Sequence, residues 1–525
     1  MGARKPMAGS TLRDHLESPR GQGALARAPH TGAAGGAPCG DLVRVSVRVE
    51  GDRVVEAGFE ARGCAAARAA GSAVVELVEG VALLDAASVT PAAIATELGG
   101  LSPVASHAAG LAADALHRAL GLAARDGAAR MGPDPNRTLV AMSGGVDSAA
   151  AAQLALDAGE HVLAVTLELW SDPGTDGERS CCSPQAVTGA RALAHGMGIP
   201  HLTLDLRDEF RTAVVDDFLA GYAAGVTPNP CVRCNGLVRF DSMMALAGRL
   251  GAARLATGHY ARIARDAEGP LVRAGVDAAK DQSYVLARLT GADLERLRFP
   301  LGELEKPQVR ELAAEAGLPV AEKRESQDLC FLAGTDTREF MRRHGSNKVQ
   351  RGAVPSFDAA GLPGGLQRGA VPPFDAIRAV PPFDAIPSGG DIVDRDGRVL
   401  GRHSGHHGFT VGQRRGIGVS AAEPLYVLSK DARRNRVVVG PRAALATRRV
   451  ELSPVHMHRA GSAVQAVRLR YGAPAIPCTS VEADAGVHES LVLELDRDVR
   501  GAAPGQTACL TRGDLVVGWG TIAGG

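Results

Sequence analysis

Aromatic side chains are scarce in this chain: 2 Trp, 5 Tyr and 11 Phe make up 3% of 525 residues. Its cores are therefore expected to be aliphatic, and stacking platforms for single-stranded nucleic acid to be few. Net charge is lacking too, because 58 Lys and Arg balance 58 Asp and Glu. That argues against a dominant polyanion-binding surface and leaves room for local patches such as "GQRRG" (412–416) and "DARRNR" (431–436). There is no apolar run of the 18 or so residues a bilayer span needs, and no N-terminal stretch like a secretory signal. No membrane partner is expected, and the nine cysteines read as reduced thiols of a cytoplasmic protein.

What is present is length and a change of texture. A chain of this size exceeds one ordinary core, so a multidomain layout is expected. Residues 1–35 are polar and patternless and read as a disordered tail. From Leu42 to Val49, "LVRVSVRV" alternates as a half-buried strand does; "RVVEAGFEA" completes a hairpin, and Ala-rich helical stretches follow. This gives a small α+β domain over 36–122, then a linker over 123–136. Over 137–345, "TLVAM", "HVLAVTLEL" and "IPHLTLDL" alternate with helical segments, the rhythm of a parallel sheet covered on both faces. Residues 346–388 repeat "AVPPFDAI" and read as a proline-rich insertion. Short alternating strands then predict a small β-rich domain over 389–446 and a C-terminal β-barrel over 447–525.

Two motifs carry chemistry. "AMSGGVDS" lies between a strand and a helix, where backbone N–H groups can receive a phosphate. It lacks the lysine of a Walker loop. The other is "TPNPCVRCNG", with Cys231 and Cys234 at a spacing shared by metal knuckles and redox dithiols. Spacing alone leaves open a metal site, a dithiol, or one nucleophile with a bystander. A further cysteine, Cys330, stands in "ESQDLCFL", and Cys181 and Cys182 are adjacent in "SCCSPQ".

The glycine-rich loop resembles that of ATP pyrophosphatases, which adenylate an oxygen and release pyrophosphate. Together with "NPCVRCN", "ATGHYAR", "KDQSYVL", "GELEKPQVRELA" and "FTVGQRRGIG", it resembles the tRNA 2-thiouridylase family (MnmA type) over 138–345 and 389–525. The resemblance implies ATP-dependent 2-thiolation of the wobble uridine of tRNA. ATP, with Mg2+, would be held by Ala141, Met142, Ser143, Gly144, Gly145, Val146, Asp147, Ser148, Leu167 and Gly258. Cys234 matches the nucleophile and Cys330 the persulfide-bearing cysteine. Asn229, Pro230 and Cys231 match the segment around the target base; His259, Lys280, Asp281, Gln282, Arg470, Tyr471 and Gln506 match tRNA contacts. Many relatives carry aspartate at the place of Cys231. Three thiols, Cys231, Cys234 and Cys330, would also suffice for an iron–sulfur cluster as sulfur carrier, and that route stays open beside the persulfide one. An amidating synthetase with the same loop is the further alternative.

Over 36–122, "APCGD", "RGCAAA" and "SHAAGLAADAL" resemble IscU/NifU-type iron–sulfur scaffolds. Cys39, Asp41, Cys64 and His107 match ligands for a cluster, zinc or iron, while Ala108 stands where that family has a third cysteine. The fusion implies a cysteine desulfurase or sulfur-relay protein as partner, brought close by the front domain.

Overall fold

The computed structural model describes residues 11–23, 25, 30–35, 40–172, 183–323, 329–332, 334–345 and 389–524. The proline-rich insertion, 346–388, lies outside them, as do Cys39, Cys181 and Cys182. The chain divides into two compact units. One holds Met1–Arg207, Ser242–Gly258 and Pro307–Cys330; the other holds Asp208–Asp241, His259–Lys306 and Phe331–Gly525.

The first unit opens with helix α1 (Leu12–Glu17) and an antiparallel sheet of β1 (His30–Gly35), β2 (Leu42–Glu50) and β3 (Arg53–Arg62). Four helices follow: α2 (Ala65–Val78), α3 (Leu83–Ala86), α4 (Pro91–Glu97) and α5 (Ser106–Arg125). Val43, Val45 and Val47 of β2 are fully buried, as the alternation predicted. A small residue brings α2 close to β3: a Cβ on Gly71 would lie 2.3 Å from the Phe59 ring.

The expected tail over 1–35 is corrected in part. Thr11 and Asp14 form a reciprocal capping box that starts α1, and His15 is buried with Nδ1 2.9 Å from Ser72 Oγ. β1 runs beside β2 from His30↔Val47 to Gly35↔Leu42. Its Gly32 lies so close to α5 that a Cβ would sit 2.1 Å from Ala115 O. Small residues held by backbone bonds leave no hydrophobic period to read.

The same unit contains the parallel strands β4 (Asp134–Ala141), β5 (His161–Glu168), β6 (His201–Asp205) and β7 (Ala252–Thr257), ordered β7-β4-β5-β6, with helices α6 (Val146–Asp157) and α7 (Pro184–Gly196). Val140, Met142, Ala149, Val162, Ala164, Leu193 and Ile199 share one core. α5 packs on β6 without a spacer: a Cβ on Gly121 would lie 1.7 Å from Thr203 O. The His201 N–H donates to Ala87 O at 3.1 Å, which satisfies a backbone group on β6. Arg118 bridges Asp114 (3.1 Å) and the buried Glu168 (2.6 Å), and Arg191 reaches Asp114 at 3.0 Å.

The second unit carries the β-rich tail. Val399–His403, Gly390–Val393, Arg436–Gly440 and Tyr426–Asp431 form a four-stranded sheet around Ile392, Phe409, Val427, Val437 and Val439. The C-terminal sheet is built on Ala446–Met457, Leu491–Arg500, Thr507–Arg512 and Leu515–Gly524, over a core including Val450, Leu452, Leu493 and Leu510.

Candidate active site

β4 ends where the strand order reverses, with β5 on one side and β7 on the other, the place where open α/β sheets bind ligands. The loop there turns through Gly144, whose φ of +71° suits glycine. Gly145 is the N-cap of α6 and offers no side-chain cap, which suits the helix start to an anionic ligand. Ser148 Oγ accepts from the Ser143 N–H at 3.1 Å and donates to Gly145 O at 3.0 Å, which holds the loop in shape. Thr166 Oγ1 donates to Met142 O at 2.7 Å and braces the strand end. A Cβ on Gly258 would fall 2.7 Å from the Asp147 carbonyl carbon, so that glycine keeps the mouth open. Ala141 and Val146 end the strand and begin the helix, and Leu167 is half-buried on β5. Lys323, which sequence reasoning missed, donates from Nζ to Gly144 O at 2.9 Å. Only a long-range fold brings a lysine in "AEKRES" to this loop, so no local signal marked it.

In the front module, Asp41, Cys64 and His107 converge, with donor atoms within 4.8 Å of one another. Cys64 Sγ donates to Asp41 Oδ2 at 3.0 Å, and the Cys64 N–H to Oδ1 at 2.9 Å. A Cβ on Gly63 would lie 1.9 Å from Oδ1, so only glycine leaves room for the carboxylate. His107 Nε2 is 2.8 Å from Asp41 Oδ2 and Nδ1 is 2.7 Å from Val104 O. Both ring nitrogens thus face acceptors, which demands an imidazolium or a cation in place of the Nε2 proton. Hydrogen bonds from Cys64 and His107 hold the Asp41 pKa down to about 2. The Asp41 bond raises that of His107; burial, then Asp41, raises that of Cys64. The set fits a divalent zinc or iron ion. It is poor in thiolates for a cluster, and Ala108, fully buried, supplies none. Asp41→Asn is expected to weaken Zn2+ affinity by roughly tenfold or more in calorimetric titration; unchanged affinity would remove Asp41 from the set.

The cysteine motif lies in the second unit. Asn229 caps helix Pro230–Cys234 by accepting from the Val232 N–H at 3.3 Å, and Pro230 suits the first turn. Cys231 is exposed, whereas Cys234 is buried, only 6% of it exposed. A π-helical turn, Asn235–Arg239, follows at once, a form frequent at functional sites. A Cβ on Gly236 would meet Arg288 Cδ at 2.7 Å. Asn229 Nδ2 donates to Tyr284 Oη at 3.3 Å, and Tyr284 Oη donates to Thr507 O at 2.7 Å. Gln506 donates to Thr227 O at 2.8 Å and Pro228 O at 3.3 Å. The C-terminal barrel therefore clamps the loop that carries the cysteines. Cys478 and Cys509 are core thiols whose pKa burial pushes up to about 11 and about 12. Cys330 is half-buried at the end of the first unit.

The residues matched to tRNA contacts divide into two kinds. Asp281 is saturated, accepting from Arg468 (2.6 Å), Ser283 Oγ (2.8 Å), Ser283 N (3.0 Å) and Gly275 N (3.1 Å). Gln282 Oε1 accepts the Tyr260 N–H at 3.0 Å, so both residues shape a loop. Lys280 is half-buried, while Arg470 and Tyr471 are exposed. His259 packs between Phe240 and Phe299, at 5.7 and 6.2 Å.

Burial, with Arg239 beside it, pushes the His259 pKa down to about 4. His407 and His456 are likewise lowered to about 4, by burial first. His117 and His201, which meet edge to face where α5 meets β6, are driven well below 6.5 by burial. These imidazoles stay neutral when folded, while the unfolded chain takes up their protons near pH 6.5. Stability is thus full above that pH and is lost as pH falls toward 4. The midpoint of thermal unfolding is expected to drop between pH 7 and 5; a flat profile there would contradict these burials.

Comparison with known proteins agrees with this anatomy. Family profiles match in succession: a NifU-like N terminal domain over 9–124, a tRNA methyl transferase HUP domain over 136–334, a tRNA methyl transferase PRC-barrel domain over 385–441 and an aminomethyltransferase beta-barrel domain over 452–522. The bifunctional protein NifU/MnmA of Rubrobacter xylanophilus is 43% identical, with 98% of each chain covered. The tRNA-specific 2-thiouridylase MnmA of Heliobacterium modesticaldum is 39% identical over 73% of this chain and 91% of its own. That of Magnetococcus marinus is 38% identical over 74% and 99%. With a phosphate loop at the sheet's switch point, a capped cysteine helix and a front module bearing Asp41, Cys64 and His107, the chain belongs to the bifunctional NifU/MnmA family of tRNA 2-thiouridylases.

Proposed function

We propose that this chain replaces O2 of the wobble uridine of tRNA by sulfur, at the expense of ATP. The observation that carries the reading is the uncapped N-terminus of α6 behind Gly144 and Gly145, a ready receptor for phosphates, in a chain that also holds a buried cysteine on a braced helix. In this reading ATP, with its magnesium ion, lies along Ala141–Ser148, Leu167 and Gly258. Lys323 supplies the positive charge that a Walker lysine gives elsewhere.

Uridine O2 attacks the α-phosphorus of ATP; the bond to the β-phosphate oxygen breaks, and pyrophosphate leaves. O2 is now part of a leaving group. Cys330 carries the sulfane sulfur as a persulfide. The Cys234 thiolate attacks the Cys330 sulfur, forming the Cys234–Cys330 disulfide and releasing hydrosulfide, which adds to C2 and expels AMP. Two electrons pass from the thiols to the sulfane sulfur, so each turnover ends with a disulfide that an external thiol must reduce. Asn229, Tyr284 and Gln506 keep the Cys234 helix in place, and neutral His259 offers a hydrogen bond rather than a charge.

The front module, in this reading, receives sulfur from a cysteine desulfurase or relay protein. Its α5 is packed against the ATP-binding sheet, so the module acts as a fixed dock rather than a swinging tether. Pyrophosphate release tests the whole reading. It is expected to require ATP and unmodified tRNA together. Release driven by ammonia and a carboxylate substrate, without tRNA, would replace this reading by an amidating synthetase.

A further inference from the structure

Four arginines, Arg414, Arg442, Arg470 and Arg500, line a single cavity of about 410 Å³ in the second unit. No carboxylate lines it. All four are exposed, and among the described residues Arg414, Arg442 and Arg500 form no ion pair. Arg470 is aimed by a bond from Nη2 to Gly501 O at 3.0 Å; Gly501 has φ +95°, and a Cβ there would lie 2.6 Å from that nitrogen. An adjoining cavity of about 300 Å³ shares Arg470, Arg500 and Gly501 and adds Arg497. Its one carboxylate, Asp498, is engaged by Arg448 at 2.8 Å. The two cavities make one open trough.

Gathering unpaired guanidinium groups in a chain of zero net charge is unfavourable unless an anion completes the site. Guanidinium forks match phosphate oxygens in pairs. With guanidinium groups spread over two adjoining cavities, the trough suits a chain of phosphates more than one small anion. It also leads toward the cysteine loop: Tyr471, next to Arg470, has its ring 6.2 Å from that of Tyr284, whose hydroxyl accepts from Asn229.

We propose that Arg414, Arg442 and Arg500, with Arg470, clamp backbone phosphates of the tRNA whose uridine is thiolated. The inference rests on the reaction proposed above and adds a contact that positions the RNA without reading its sequence.

The test uses the full-length protein and an unmodified tRNA transcript, with dissociation constants measured across a salt series. Arg442→Gln and Arg500→Gln are each expected to weaken binding roughly tenfold and to reduce the salt slope by about one. Arg442→Lys should restore the slope. Inorganic triphosphate serves as the small-anion probe. Variants with unchanged tRNA affinity and slope would overturn the inference. So would variants that lose triphosphate binding alone, since the trough would then be a small-anion pocket. The two proposals fail separately. A wild type that forms no 2-thiouridine but shows the arginine-dependent slope refutes the reaction and keeps the clamp. One that thiolates with the slope unchanged in the variants refutes only the clamp.

Discussion

Cys234→Ala is expected to lower 2-thiouridine formation by roughly a thousandfold or more, while Cys231→Ala keeps most of the activity, with sulfur supplied as a persulfide and a single turnover followed under anaerobic conditions. The two thiols share a five-residue helix but not an environment. Cys231 is exposed in its first turn, and Cys234 is buried at its last residue against a π-helical turn. The interactions that fix the helix converge on its N-terminal end: the Asn229 cap, the Tyr284 hydroxyl and the clamp from Gln506. A persulfide route needs one held thiol here and one partner, Cys330. Trapping a Cys234–Cys330 disulfide after a single turnover would support that pairing. If both alanine variants are inactive and the anaerobic protein carries stoichiometric iron that each substitution removes, the three cysteines hold a cluster and the persulfide account fails.

The second large effect is structural. Gly121→Val should destabilise the protein by about 3 kcal/mol and weaken ATP binding, although Gly121 belongs to the front module. Glycine in a helix interior is unfavourable by about 0.5–1 kcal/mol relative to alanine, so its presence in α5 needs a reason. The close approach to Thr203 O on β6 supplies one. Arg118→Ala should cost about 3 kcal/mol as well, because it strips the buried Glu168 carboxylate of its 2.6 Å partner. Glu168 directly follows Leu167 at the end of β5, so the loss reaches the nucleotide side of the sheet. Calorimetry should show the front module and the ATP-binding sheet melting in one shifted transition. Two transitions, with the nucleotide-stabilised one unmoved in Gly121→Val, would show instead that the modules fold independently.

The phosphate loop was legible because its job fixes residue order: glycines for close backbone approach, serines for bracing, a strand before and a helix after. β2 and β3 were legible because one face is buried and the other wet. The elements that escaped have reasons of their own. β1 is a run of small residues, and α1 depends on a capping box between Thr11 and Asp14, so 1–35 read as a tail. The strand Ala446–Met457 begins with charge and contains Pro454, where its pairing slips, so no alternation survives to be counted. Lys323 at the phosphate loop and the packing of α5 on β6 are long-range contacts with no local signature. Gln506 and Asp281 were singled out as RNA contacts through resemblance. Their hydrogen bonds are internal: Gln506 braces the cysteine loop, and Asp281 shapes the segment before Tyr284.

The central claim is that sulfur replaces oxygen on one uridine of tRNA. It is tested most directly by digesting a tRNA transcript to nucleosides after incubation with the full-length protein, ATP, magnesium and a persulfide sulfur donor, then analysing them by mass spectrometry. The account predicts 2-thiouridine at the wobble position, dependent on ATP and absent with Cys234→Ala. Unaltered uridine from a folded, ATP-binding protein, or a nitrogen-containing product in its place, would contradict it.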